Sequence, residues 1–235
     1  MGVMMNNARL AAALACAAVL AACSGGSDDL RTQGGRFLTV FDTLQSGLFA
    51  EEPELPTVTR ALLDGLTVPS LEVTVPKRDG LAYLIPLISR RDATLGPLDT
   101  WTTGDGSQLT LRSGVIVATR GLGDDVTSTD RRGSIAFVTG QAGTNWPMRL
   151  DIQTSANGVE RHDFTCTGQR KGRTTIEIVE RSYPVESLRE ICTGRDGTRI
   201  ENQYFVDVRD GTVWQTRQWA GEKIGYMATR ILKKK

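Results

Sequence analysis

Histidine is almost missing from this chain: His162 is the single one among 235 residues. Zinc normally takes four nitrogen or sulfur ligands, so that scarcity removes most zinc sites. It also leaves a serine hydrolase short of a base, which an activated hydroxyl needs within hydrogen-bond reach. No Gly-x-Ser-x-Gly elbow occurs, and neighbours on a strand face opposite ways, so His162 and Asp163 are no ready dyad. An excess of positive charge is missing as well. Lysine and arginine number 28 against 27 acids, which argues against nucleic acid, since that partner requires a concentrated basic surface. A permanent membrane helix needs roughly 20 apolar residues, and the uncharged run Leu10 to Ala22 is too short for one. Cysteine is scarce, with four in the chain. "GQAGTNW" is followed by no Lys-Ser/Thr pair and is no phosphate loop.

What is present begins at the N-terminus. Arg9, the apolar run and the small residues that close it describe a secretory signal. Its ending "LAAC", Leu20 to Cys23, resembles the bacterial lipobox. The resemblance implies that the signal peptide is 1–22, that cleavage falls before Cys23, and that the Cys23 thiol carries diacylglycerol. An ordinary secretory signal with a chance cysteine is the alternative. Ser24, rather than aspartate, points to the outer membrane under the enterobacterial sorting rule. Several acyl chains anchor far more firmly than one. Residues 23–35, with "SGGSDD", read as a lipidated flexible tether. Residues 36–235 are left for one mainly-β periplasmic domain, large enough for one substantial core. The signal's only charge is Arg9, so the remainder carries 27 basic and 27 acidic residues. "KKK" at the end is a short basic tail, a solvated terminus or a contact for anionic groups.

Cys16 leaves with the signal and Cys23 takes the lipid, so Cys166 and Cys192 remain in an oxidising compartment. They are predicted to form a disulfide, closing a loop of about 26 residues and stabilising the fold by roughly 3 kcal/mol on the chain-entropy account. A two-thiol metal site is the alternative, with one histidine to support it. No metal or other cofactor is expected.

After the tether, Phe37, Phe41, Leu44 and Leu48 recur at helical spacing, which predicts an amphipathic helix from Arg36 that "EEPELP" ends. "TVTRALLDGL" suggests one more short helical turn. From Ser70 the period changes to short β-prone runs: "SLEVTVP", "LAYLIPLISR", "SQLTLRSGVIVATRGL", "GSIAFVTG", "NWPMRLDIQT", "VERHDFTCTGQ", "TTIEIVERSY", "ESLREICTG", "TRIENQYFVDV", "GTVWQTRQW" and "GYMATRIL". Hairpin turns are legible at Arg112–Gly114, Arg195–Gly197 and Arg209–Gly211, each with glycine where a left-handed backbone costs little. Connections this brief leave no room for crossover helices. The expected fold is therefore mainly β: an antiparallel sandwich or partly closed barrel of about ten strands.

Acids are plentiful and glycosidases need only two carboxylates. Asp124, Asp125, Glu177, Glu180, Asp207 and Asp210 are the candidates, most of them on turns or strand faces. "GLGDDVTSTD" has the acid density of a calcium loop without EF-hand spacing; a solvated turn is the plainer reading. The stretch "GTVWQTRQW" raises the sharper question. Strand parity puts Val213, Gln215, Arg217 and Trp219 on one face and Trp214, Thr216 and Gln218 on the other, so the two indoles make no common platform. Either one fills the core while the other covers the outside, or Trp219, Gln215 and Arg217 line a groove for a sugar chain or a protein.

"DGTVWQTRQWAG" (Asp210 to Gly221) resembles the C-terminal signature of the YjbF/GfcB-type outer-membrane lipoproteins of exopolysaccharide and group 4 capsule systems. "TWTTGDGSQLTLRSGVIVATRGLGDDV", Thr100 to Val126, is similar to a second run of that family. The resemblance implies a lipid-anchored, mostly β periplasmic domain at the outer membrane, without established active-site residues. It implies a non-enzymatic accessory role in polysaccharide assembly or export. The implied partners are an outer-membrane β-barrel export component and the polysaccharide itself; a lipid-anchored hydrolase or lyase acting on the polymer is the rival. Candidate contact residues are Trp101, Arg120, Trp214, Arg217 and Trp219.

Overall fold

The computed structural model describes residues 58–92, 96–141 and 143–234, all within one compact unit. The signal peptide, Cys23, the tether and the helix expected from Arg36 lie outside the described residues. The first element is α1 (Arg60–Gly65), where the Thr59 hydroxyl caps the Leu62 N–H and Leu63 is the buried residue.

Twelve strands follow among the described residues: β1 (Ser70–Val75), β2 (Gly80–Asp92), β3 (Gly96–Thr102), β4 (Gln108–Arg112), β5 (Val115–Arg120), β6 (Asp125–Asp130), β7 (Asn145–Gln153), β8 (Val159–Ile178), β9 (Arg181–Gly194), β10 (Arg199–Asp207), β11 (Val213–Trp219) and β12 (Tyr226–Lys233). All neighbours are antiparallel, in the order β5-β4-β3-β2-β1-β12-β11-β10-β9-β8-β7-β6. The two end strands then approach one another. Val126 N–H donates to Thr119 Oγ1 at 2.9 Å, and Thr129 Oγ1 donates to the Val117 carbonyl at 3.3 Å. The sheet is thus a nearly closed barrel, with side chains bridging the one seam that no backbone ladder crosses.

Alternation sets the two faces. On β7, Trp146, Met148, Leu150 and Ile152 are buried while Asn145, Pro147 and Arg149 are exposed. These buried residues join Leu71, Leu84, Leu109 and Phe164 in the interior core. A smaller cluster, Leu63, Ile178, Val185, Trp214 and Leu232, lies outside the sheet beneath α1. Cys166 and Cys192 are cross-strand partners on β8 and β9 and form the expected disulfide, with sulfurs 2.04 Å apart.

Several local expectations need correction. "GSIAFVTG", read as a strand, forms the helix α2 (Arg132–Val138). Its β-prone residues have no strand partner to meet; instead Ile135, Phe137 and Val138 are buried, with the Phe137 ring 5.2 Å from Trp146. Gly133 lets that helix approach, since a Cβ there would fall 2.3 Å from the Trp146 ring. Tertiary burial overrides local propensity here. "TTIEIVERSY" is a hairpin rather than one strand: Val179 and Glu180 make its turn with φ of 44° and 63°, where glycine or asparagine is usual. β3 and β6 were not among the expected runs, because "GPLDTWT" and "DVTSTD" are poor in alternating apolar residues. The Arg112–Gly114 turn is as expected. Gly114 has φ 80°, and a Cβ there would meet the Val213 side chain at 2.5 Å.

Candidate functional site

The stretch Val213–Trp219 resolves through a bulge. Phe205 pairs with Gln215 and Val206 with Val213, leaving Trp214 as the extra residue. Val213 therefore joins the interior, whereas Trp214 enters the outer cluster. There its ring lies 4.0 Å from that of Tyr183, and its Nε1 donates to Asp207 at 2.8 Å. At the other end Trp219 turns inward, edge-on to His162 (5.0 Å) and Phe164 (5.6 Å). Trp101 is 4% exposed and also belongs to the interior core. The three indoles are packing groups. Arg217 and Arg120 are both exposed, but β11 and β5 lie six strand positions apart in either direction around the sheet. The five residues do not share one surface.

Inside the barrel is a polar network. Leu188, Glu190 and Cys192 share the inward face of β9, so the alternation of "LREIC" already placed a glutamate in the core. Glu190 has no solvent exposure and accepts four hydrogen bonds. Ser134 Oγ (2.5 Å) and Trp146 Nε1 (2.9 Å) reach one oxygen, Asn202 Nδ2 (2.8 Å) and Tyr204 Oη (3.0 Å) the other. Arg131, 1% exposed, donates to Gln218 Oε1 and to the Trp219 carbonyl. No signal in the sequence pointed to its burial. Burial pushes the Arg131 pKa down and, with the nearby Glu190 charge, the Tyr204 pKa well up. Gln218 completes the network, accepting from Ile116 N–H and donating to the Gly114 carbonyl, so it ties β11 to β5 across the lumen. Sealed from water and with every carboxylate lone pair engaged, Glu190 has no room for a substrate. The network fixes the interior.

Of the candidate acids, Asp125, Asp207 and Asp210 are engaged locally. Asp125 accepts from Thr119 Oγ1, Gly121 N–H and Leu122 N–H, building the turn that was weighed as a calcium loop. Asp207 and Asp210 hold Arg209 and Lys234. Cys166, Cys192 and Glu190 place potential metal-ligand atoms within 4.8 Å of one another, but the sulfurs are bonded together and Glu190 is saturated.

The outer face of β9 to β12 carries a field of hydrogen-bonding side chains. Cross-strand register lines up Ala228, Arg217, Gln203 and Arg189 in one row, with Arg230, Gln215 and Phe205 in the next. The Arg217 guanidinium lies 3.5 Å over the Tyr226 ring, a cation–π stack. Tyr226 Oη in turn accepts from Glu201 N–H. Arg189 pairs with Glu201 and holds its carboxyl below the usual range; Arg230 binds Glu72 through two 2.8 Å bonds. Tyr226, not a tryptophan, is the aromatic group beside Arg217. Sequence parity groups Arg217 with Trp219, but Trp219, paired with Tyr226 at the end of β11, packs its ring into the core.

These features define a mainly-β domain: a nearly closed antiparallel barrel whose apolar core encloses a buried polar network, with polar side chains on the outer face of β9 to β12. Residues 41–232 match the family described as "Group 4 capsule polysaccharide lipoprotein gfcB, YjbF", and the chain belongs to that family. A crystal structure of the hypothetical lipoprotein YmcC from Escherichia coli is similar with a TM-score of 0.68 at 17% identity, covering 90% of this chain and 98% of that one; it supports the fold. A Bacteroides fragilis protein with a YmcC-like fold is more distant, with a TM-score of 0.34 at 8% identity, covering 71% and 94% of the two chains. No curated protein matches the chain.

Proposed function

We propose that this protein is a non-enzymatic accessory lipoprotein for exopolysaccharide or capsule assembly and export. Cys23 carries the lipid anchor, residues 23–35 act as the tether, and the domain within 36–235 faces the periplasm from the outer membrane. It works by contact with the polymer or with an outer-membrane β-barrel exporter. Family membership over residues 41–232 is the observation that carries this reading. The physical advantage is confinement: a tethered module within reach of an exporter gains effective concentration without any new contact. The contact surface we assign is the outer face around Arg217, Tyr226, Gln203 and Gln215. Planar amides, a guanidinium and an aromatic ring are the groups that grip sugar hydroxyls and ring faces, or a partner's polar rim.

The test is complementation of a deletion strain. Arg217→Ala with Gln215→Ala is expected to lower surface polysaccharide while leaving protein level and melting temperature near the parent's. Full polymer production by that double variant would remove the assigned surface. Unchanged polymer in the deletion itself would remove the role. New reducing or unsaturated ends on polymer incubated with the protein would replace it with a hydrolase or lyase.

A further inference from the structure

One end of the barrel is not filled. Between the β1–β2, β3–β4 and β11–β12 connections lies a pocket of about 240 Å³, reaching inward to Val73, Ala82, Leu84, Leu109 and Met227. Its walls are aliphatic, and among the described residues none of them is aromatic. Polar groups are confined to side chains such as Arg78, Asp105 and Gln108. Sugar sites rely on aromatic faces and many hydrogen-bonding groups, so this is a poor place for the polymer. A pocket walled mainly by aliphatic groups and open at one side favours an apolar guest.

We propose that this pocket binds one linear aliphatic chain of an amphiphile taken from the surrounding membrane lipid, with an acidic head at Arg78. By proportion to the ~150 Å³ cavity that holds benzene, 240 Å³ accommodates about nine or ten carbons. The head has a partner because Arg78 is 37% exposed and uses only NH1, toward the Leu122 carbonyl, and NH2, at 3.4 Å from Asp124. Asp105, the acid among the lining residues, is already held by Thr103 and the Ser107 N–H, which together lower its pKa. This inference stands apart from the polysaccharide role and survives if that role fails.

The test is calorimetric titration of the full mature chain carrying Cys23→Ser, purified without detergent, against straight-chain carboxylates from hexanoate to tetradecanoate. Each buried methylene is worth roughly fourfold in affinity. Affinity should therefore climb about fourfold per carbon and level off near nine or ten carbons, at one site per protein. Ala82→Phe fills the pocket and should weaken decanoate by about tenfold or more. Met227→Ala enlarges it and should move the plateau to longer chains, which keeps the idea testable if the first variant fails to fold. Arg78→Gln should weaken the carboxylates by about threefold and leave the matching alcohols unchanged. Absence of saturable binding, a series with no plateau, or indifference to both pocket variants would overturn the site. Binding lost in the lipidated protein but present with Cys23→Ser would overturn the membrane as source and assign the pocket to the protein's own acyl chain.

Discussion

Glu190→Gln removes one charge from the centre of the barrel without changing its volume, and the geometry gives its cost. The retained oxygen can keep two donors, but the new amide nitrogen must face the other two. If it faces Asn202 and Tyr204, the tyrosine hydroxyl can rotate to accept. Asn202 cannot flip, because its own oxygen accepts from the Trp219 N–H at 2.8 Å. If it faces Ser134 and Trp146, the serine can rotate and the indole N–H cannot. Either way one obligate donor is buried without a partner, at about 1–3 kcal/mol, and the surviving bonds lose the strength that a carboxylate adds. A total near 2–4 kcal/mol should lower the melting temperature by roughly 4–15 °C for a domain of this size. Glu190→Leu strands all four donors and should consume most of a normal stability margin of about 5–15 kcal/mol. Thermal unfolding followed by circular dichroism, with calorimetry to confirm a single transition, measures both. A Gln variant melting within about 1 °C of the parent, or a Leu variant as stable as the Gln variant, would refute the idea that this carboxylate organises the interior.

Other outcomes follow from local features. Replacing Val179–Glu180 with Asn-Gly should stabilise the protein by about 1–2 kcal/mol, read from the urea midpoint, because a β-branched residue now sits at φ 44°. Arg60 holds the present turn through the Ile178 and Val179 carbonyls, so Arg60→Ala should cost less once the turn is relaxed. Removing the disulfide with Cys166→Ala and Cys192→Ala should cost about 3 kcal/mol for its 26-residue separation, measured by denaturant titration. Acid should destabilise the fold. Arg209 holds the Asp207 carboxyl below its ordinary pKa, as Arg132 does for Asp130 and Lys234 for Asp210. With folded values depressed, their contribution is present above the unfolded values near 4 and is lost as pH falls. The urea midpoint should drop below about pH 4, and Asp207→Asn should shrink that drop.

Much of this architecture was visible in local pattern. "NWPMRLDIQ" alternates along its whole length, and the glycines of the three predicted hairpin turns all adopt positive φ. The disulfide followed from having two cysteines left to pair. The barrel's closure was not legible, since it depends on β1 meeting β12 and on Thr119 bridging to β6, contacts that no single window contains. α2 was misread because Ile135, Phe137 and Val138 favour strands until a cavity of the right shape receives them. The candidate surface was half legible. Parity put Gln215 and Arg217 on one face along with Val213 and Trp219, which the structure buries instead, and Tyr226 reaches Arg217 only through the pairing of two strands. Trp101, Trp214 and Trp219 stand out as large aromatic groups, and their size draws Trp101 and Trp219 into the interior core and Trp214 into the outer cluster.

The pairing of β1 with β12 also orders events in time. Leu71 and Ile231 are neighbours in the sheet though they are separated by most of the domain, and Lys233 secures the carbonyls of α1 from the far end of the chain. Such distant contacts form slowly, because loop closure must precede any gain from them. A polypeptide crossing a membrane N-terminus first would expose the bare edge of β1 until its last strand arrived. Premature termination before Tyr226 would leave that edge open for good, an adhesive margin for neighbouring chains.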